Sequence, residues 1–296
     1  MTKSNSLAIG GLLAGATTWG LVWYPLRLLE QAGLPGPSAI LAIFLVALLL
    51  GLPLTWRAVH EFRFGTGLVL GIGLAAGWAN LAYVLGVIHG EVVRVLLLFY
   101  LAPLWTVLLS RLLLKERLVL AGYGVIALSL AGALIMLWRP EVGLPWPKNG
   151  AEWLGLSAGF AFACSNVLSR KAQALSVAAK SLSVWGGVVA VAFVVVWVDV
   201  PSFGRGAAPV LEHGALVAGL GLVMCGVTAV MQYGLTHTPA NRAIVILLFE
   251  LVVAAVAAWF LVDEKLAPRD WLGGAMIVAA SLLSGHMEPN ARAKQR

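Results

Sequence analysis

Residues 91–118 read EVVRVLLLFYLAPLWTVLLSRLLLKERL, and residues 239–266 read PANRAIVILLFELVVAAVAAWFLVDEKL. Laid over one another, the two stretches keep Arg94 with Arg242, Glu116 with Glu264, Arg117 with Lys265 and Leu118 with Leu266, each pair 148 positions apart. Outward from them, the same offset joins Gly71, Gly73, Leu74, Gly86 and His89 to Gly219, Gly221, Leu222, Gly234 and His237. Apolar matches arise by chance in a chain of this composition. Charged residues and glycines that hold one offset over about fifty residues do not, and they mark a duplicated unit.

The solvent of that unit is hydrocarbon. Of 296 residues, 60% are hydrophobic and 11% charged, against roughly 25% charged in a soluble domain, and the mean hydropathy is +0.92. Apolar stretches long enough to cross a bilayer are predicted at 7–29, 37–55, 66–88, 91–112 and 119–138, then 153–171, 180–198, 211–234, 240–261 and 270–286. They are apolar on all sides, unlike the short alternating strands of a barrel, and a helix satisfies its own backbone in lipid. The expected fold is an all-α membrane protein with ten transmembrane helices. The first span is too long for a signal-peptide core, carries Trp19, Pro25 and Arg27, and shows no small-residue cleavage site.

The net charge of +7 is spread through the short connections, which points to topology and not to nucleic acid. With both termini inside, 13 Lys and Arg fall on the inner segments and 7 on the outer ones, as positive residues prefer the cytoplasmic side. Residues 1–140 are expected to form the first five-helix repeat, 141–151 the connecting loop, and 152–296 the second repeat. Five is odd, so the second copy enters the membrane inverted. Cys164 and Cys225 fall inside spans with no metal-ligand spacing and read as packing residues.

Leu101-Ala102-Pro103-Leu104, running on to Leu114-Lys115-Glu116-Arg117-Leu118, resembles the fourth-helix signature of the drug/metabolite transporter superfamily. Phe249-Glu250-Leu251 through Val262-Asp263-Glu264-Lys265-Leu266 resembles its ninth-helix signature, and Thr18-Trp19-Gly20 its first helix. The family has Glu-Pro where this chain has Glu250-Leu251, a departure expected to remove one helix kink. At ten helices and this length the chain resembles the EamA-type exporters. The Tyr100-to-Pro103 step and the mid-span aromatics look most like the aromatic amino acid exporters, the YddG-like group. The resemblance implies a central cavity open alternately to each side and export of amino acids.

Glu250 is the sharpest single residue, because an ionised side chain at mid-span costs several kcal/mol without a partner. It either meets a substrate ammonium, carries a coupling proton, or fixes helix packing. The matching position of the first half is Ala102, so a site built on Glu250 is asymmetric. Arg94 and Arg242, one turn inside opposite ends, either attract a carboxylate or snorkel to the interface as anchors. Trp19, Trp78, Tyr83 and Tyr100 lie away from the interfaces and are candidates to stack on an aromatic substrate, or to pack. Asn80 and Asn166 are candidates for polar substrate contacts, or for interhelical hydrogen bonds. Pro103 is a candidate bend point. His89 and His237 read as caps.

Gly155-Leu156-Ser157-Ala158-Gly159 matches the G-x-S-x-G elbow of hydrolases, which works on a strand-turn-helix corner. Inside an apolar helical span its small residues simply pack, leaving an intramembrane serine protease as a remote alternative. No phosphate loop or metal cluster is visible, so no cofactor, no metal and no enzymatic activity are expected. The expected function is export of small amphipathic metabolites, foremost aromatic or other hydrophobic amino acids, by alternating access. The alternative is a proton-coupled multidrug exporter of hydrophobic cations. Expected partners are a small-molecule substrate and the lipid bilayer, not nucleic acid, with the chain a monomer or homodimer. The expected location is a bacterial inner (cytoplasmic) membrane, with both termini cytoplasmic.

Overall fold

A computed structural model describes residues 3–138, 146–198, 210–263 and 265–287. Among the described residues the regular structure is all helical, without a strand. In chain order the helices are α1 (Lys3–Gln31), α2 (Gly36–Thr55), α3 (Thr66–His89), α4 (Val92–Phe99), α5 (Ala102–Leu109), α6 (Leu120–Leu137), α7 (Gly150–Lys171), α8 (Val177–Val198), α9 (Gly214–His237), α10 (Ala240–Leu247), α11 (Phe249–Val262) and α12 (Pro268–Leu283). A 3₁₀ stretch, Trp56–Phe64, follows α2, and a π-helical turn, Ser110–Leu114, extends α5.

Eight helical stretches among the described residues are long and apolar enough to cross a membrane. Two of the ten predicted spans are not among them. They correspond to α7, which carries Glu152, Arg170 and Lys171, and to α12, which has only 16 residues.

The repeat extends from residue types to backbone. In the fourth predicted span the helix breaks after α4, where Tyr100 is the C-cap; in the ninth it breaks after α10, where Leu248 is the C-cap, 148 positions on. Lys115 and Asp263, also 148 apart, are the two described non-glycine residues with positive φ, at 57° and 54°. His89 and His237 both bond back to the carbonyl four residues earlier, Leu85 and Tyr233, at 2.8 Å. Glu264, the mate of Glu116, lies outside the described residues, as do residues 139–145 and the C-terminal tail from 288.

The break at Leu248 corrects one expectation. Leu251 in place of proline does not straighten the helix, because Leu248 leaves regular geometry (ψ −16°) and Leu251 N–H bonds back to Leu248.

Packing is also exchangeable between halves. α3 lies against α7 and α8 as α9 lies against α1 and α2; α4 and α5 lie on α7 as α10 and α11 lie on α1. The α2–α8 and α6–α12 pairs map onto themselves. Glycine permits the closest crossings. A Cβ at Gly187 of α8 would stand 2.2 Å from the Gly73 carbonyl of α3, and one at Gly273 would stand 2.5 Å from the Gly132 oxygen, so α12 seats on α6 of the same chain. Gly122 likewise faces this chain, against Leu118 and the Met287 carbonyl. Cys164 and Cys225 are free thiols, half-buried.

Candidate functional site

The discontinuous helices frame the main apolar cavity of the bundle, about 150 Å3 in volume. α1 lines it with Trp19, Val22, Trp23 and Leu26, α2 with Ile40 and Phe44, and α3 with Asn80, Tyr83 and Val84. Phe162, Ser165 and Asn166 come from α7, Thr228, Met231 and Gln232 from α9, and Glu250 from α11. The lining residues of α1, α2 and α3 are those nearest the α1–α2 turn, so the cavity occupies that half of the bundle. Space of this order accommodates one ring-sized guest.

Its chemistry is divided. One wall is aromatic: Tyr83 lies 5.2 Å from Phe99, which lies 5.6 Å from Phe162, ring to ring, with Trp19 and Trp23 completing the lining. The polar groups are few, and Glu250 is the one ionisable carboxylate on the described lining, which includes no lysine or arginine. Glu250 stands in the first turn of α11, immediately after the break, where helix N–H groups face a negative charge. It accepts a hydrogen bond from the Tyr100 hydroxyl at 3.3 Å.

Three lining residues carry a buried polar atom without a partner: Trp23 Nε1, Asn166 Nδ2 and Gln232 Oε1. An unmet buried donor or acceptor costs about 1–3 kcal/mol, and with almost no accessible surface these atoms would meet a guest or water only after the wall shifts.

Of the residues marked in the sequence, Trp19, Asn80, Tyr83, Asn166 and Glu250 come together on the cavity wall. Asn80 also donates to the Ala76 carbonyl in its own helix, at 2.9 Å. Tyr100 stands behind the wall, buried, and touches the lining through its hydrogen bond to Glu250. Trp78 does not reach the cavity: it points to the bundle surface, 39% exposed, and donates its indole N–H to Ser157 Oγ at 3.2 Å. Two steps along a helix turn a side chain by about 200°, which separates Trp78 from Asn80.

Arg94 is committed elsewhere. Its Nε and Nη2 meet both oxygens of Glu152 at 2.7 and 2.8 Å, and Nη2 also donates to the Trp146 carbonyl at 3.0 Å. The pair is buried and ties α4 to the start of α7, so Arg94 neither snorkels nor waits for a substrate carboxylate. Arg242 donates to Ser284 Oγ at 3.4 Å near the opposite end. Pro103 is buried at the start of α5, just past the break, where a missing N–H costs nothing.

Sequence reasoning passed over Phe99, Phe162 and Trp23, which look like ordinary core in any apolar span. The available signal was Phe99 beside the Tyr100-to-Pro103 step.

The other end of the bundle is closed by a polar network. Lys180, fully buried, donates to Thr236 Oγ1 at 2.9 Å, and Arg170 and Gln173 donate to the Thr236 carbonyl. Glu116 caps α10 by accepting from Ala240 N–H at 3.2 Å, and its carboxylate stands 3.8 Å from Arg170.

The hydrolase motif has a packing role. Cβ atoms at Gly155 and Gly159 would stand 2.8 and 2.4 Å from the Val95 and Phe99 carbonyls, so the two glycines let α7 lie against α4. Ser157 Oγ donates to the Leu154 carbonyl within its own helix. That is not the strained corner a nucleophilic serine needs.

Relatives agree with this architecture. A curated "uncharacterized transporter" of Archaeoglobus fulgidus is 27% identical over 213 residues, covering 69% of this chain and 70% of the relative. An "uncharacterized transporter" of Pseudomonas aeruginosa is 27% identical over 188 residues, covering 59% of each. A solved crystal structure superposes over 100% of this chain and 99% of its own, with a TM-score of 0.68 and 17% identity, a likeness of fold. The family model for EamA-like transporters matches twice, over residues 6–138 and again over 149–285. With nearly the whole chain so matched, this protein is a multi-pass membrane transporter that belongs to the EamA-like transporter family.

Proposed function

We propose that this transporter exports small amphipathic metabolites, foremost aromatic or other hydrophobic amino acids, by alternating access through the α1–α3–α7–α9–α11 cavity. The observation that carries this reading is the pairing of an aromatic wall with unpartnered polar atoms of both kinds. Glu250 and Gln232 Oε1 accept the three hydrogens of an ammonium, while Trp23 Nε1 and Asn166 Nδ2 donate to a carboxylate. Trp19, Tyr83, Phe99 and Phe162 take the side chain, at about 0.5–1.5 kcal/mol per ring pair. In the same reading, residues 1–140 and 152–296 are two five-helix repeats joined by 141–151, the second inverted, and both termini face the cytoplasm of a bacterial inner membrane.

The test is uptake of labelled phenylalanine and tryptophan into proteoliposomes, with and without a proton gradient, against empty liposomes. Saturable flux that unlabelled amino acid suppresses supports the reading, and its gradient dependence reports proton coupling. No flux above empty liposomes, from protein that elutes folded, sinks it.

A second reading, efflux of hydrophobic cations, is favoured by one feature: the described lining holds a single carboxylate and no lysine or arginine. Glu250→Gln separates the two. Loss of cation efflux with amino acid flux retained selects the cation reading.

A further inference from the structure

A second, larger cavity of about 600 Å3 lies at the end closed by the polar network, and its chemistry is the reverse of the first. Arg111, Lys115 and Arg117 line it, with Glu116, Tyr123 and Asn241. The three cations are exposed, whereas Glu116 is engaged by Ala240 N–H, by Asn241 Nδ2 and by Arg170. Its charge is therefore spent on α10. The local backbone gathers the cations: the π-helical turn ends at Lys115, whose positive φ turns the chain back so that Glu116 N–H bonds to the Ser110 carbonyl.

The approach to this cluster is apolar. Leu104, Leu108 and Leu112 recur every four residues on one face of α5 and the π-helical turn, 50%, 47% and 66% exposed. That face runs directly to Arg111 and Lys115. Leu120 and Tyr123, both exposed, border it from α6.

The repeat supplies an internal comparison. The positions 148 residues on from Arg111, Lys115, Arg117 and Tyr123 are Trp259, Asp263, Lys265 and Trp271. There two tryptophans meet edge to face at 6.1 Å. One copy of the corner ends in three cations and the other in an aromatic anchor with balanced charge, so the fold itself does not require the cations.

We propose that Arg111, Lys115 and Arg117 bind the phosphate of an anionic phospholipid headgroup, whose acyl chains lie along Leu104, Leu108 and Leu112. A free phosphate offers the same charge but gains nothing from the leucine strip. Clustered cations at a membrane end each add to attraction for anionic lipid.

Native mass spectrometry of the delipidated full chain tests this, with phosphatidylglycerol against phosphatidylcholine and with glycerol 3-phosphate as soluble competitor. The expected result is phosphatidylglycerol retention about tenfold or more above phosphatidylcholine. That preference disappears in Arg111→Gln/Lys115→Gln/Arg117→Gln and survives in Arg57→Gln/Arg63→Gln, and equimolar glycerol phosphate leaves it unchanged. Should the triple variant not fold, Lys115→Gly keeps the positive φ at no steric cost and is expected to lower the preference severalfold. Equal retention of both lipids, equal loss in the Arg57/Arg63 control, an unchanged preference in Lys115→Gly, or displacement by glycerol phosphate overturns the proposal.

Discussion

At the residue scale the bundle is decided by what each polar group has for a partner. Arg94 and Glu152 satisfy one another bidentately in a buried pocket, where removing one partner strands the other charge. Arg94→Gln is expected to lower stability by about 3–5 kcal/mol, measured as loss of monodisperse protein on heating. Arg94→Leu/Glu152→Leu, which leaves no orphan charge, recovers most of it. In the cavity the open donors are the informative atoms. Trp23→Phe keeps an aromatic ring, though a smaller one, and deletes the N–H, so under the amino acid reading KM for phenylalanine rises about ten- to a hundredfold, the worth of one hydrogen bond to a charged group. Transport of phenethylamine, which lacks the carboxylate, stays unchanged. Equal effects on both cargoes would show that Trp23 does not meet the carboxylate.

The elements show how far such a chain is readable. Continuous apolar runs revealed most helices to within a few residues, because in lipid nothing but a self-satisfied helix survives. Polar residues within those runs were equally visible, and Asn80, Asn166 and Glu250 do line one cavity. Direction was not visible. Trp78 and Tyr83 are both mid-span aromatics of α3, yet one faces outward and the other the cavity. The partner of Arg94 lay 58 residues away, beyond any local pattern. The break after α10 went unread because it lacks its proline, and it yields a test. Leu251 is in the first turn of α11, where proline is tolerated, so Leu251→Pro removes only the bond to Leu248. The variant is expected to lose less than about 1.5 kcal/mol, with its thermal transition nearly unmoved. A collapse of folding would mean that the ninth span is continuous.

For the whole molecule, the cavity lies toward one end and the network of Glu116, Arg170, Lys180 and Thr236 closes the other. Under the proposed alternating access, this closure opens in its turn. Lys180→Met is therefore expected to shift the population toward the opposite opening. The measurement is labelling of Thr228→Cys by a membrane-impermeant thiol reagent from the closed end, in a Cys164→Ala/Cys225→Ala background. A severalfold faster rate in Lys180→Met is the expected outcome, and an unchanged rate would show that the network is structural only.

The paired breaks have one more consequence. A protein whose halves were identical would interconvert between two shapes of equal energy and rest at each for half the time. Here the two breaks sit at equivalent places, but one is followed by Glu250 and the other by Ala102. Swapping the halves' conformations moves a carboxylate from one surrounding to another and leaves a methyl group in its place. Under the proposed alternating access the two shapes therefore differ in energy even with no cargo aboard, and Glu250 is one of the differences between the halves that give the chain a resting side.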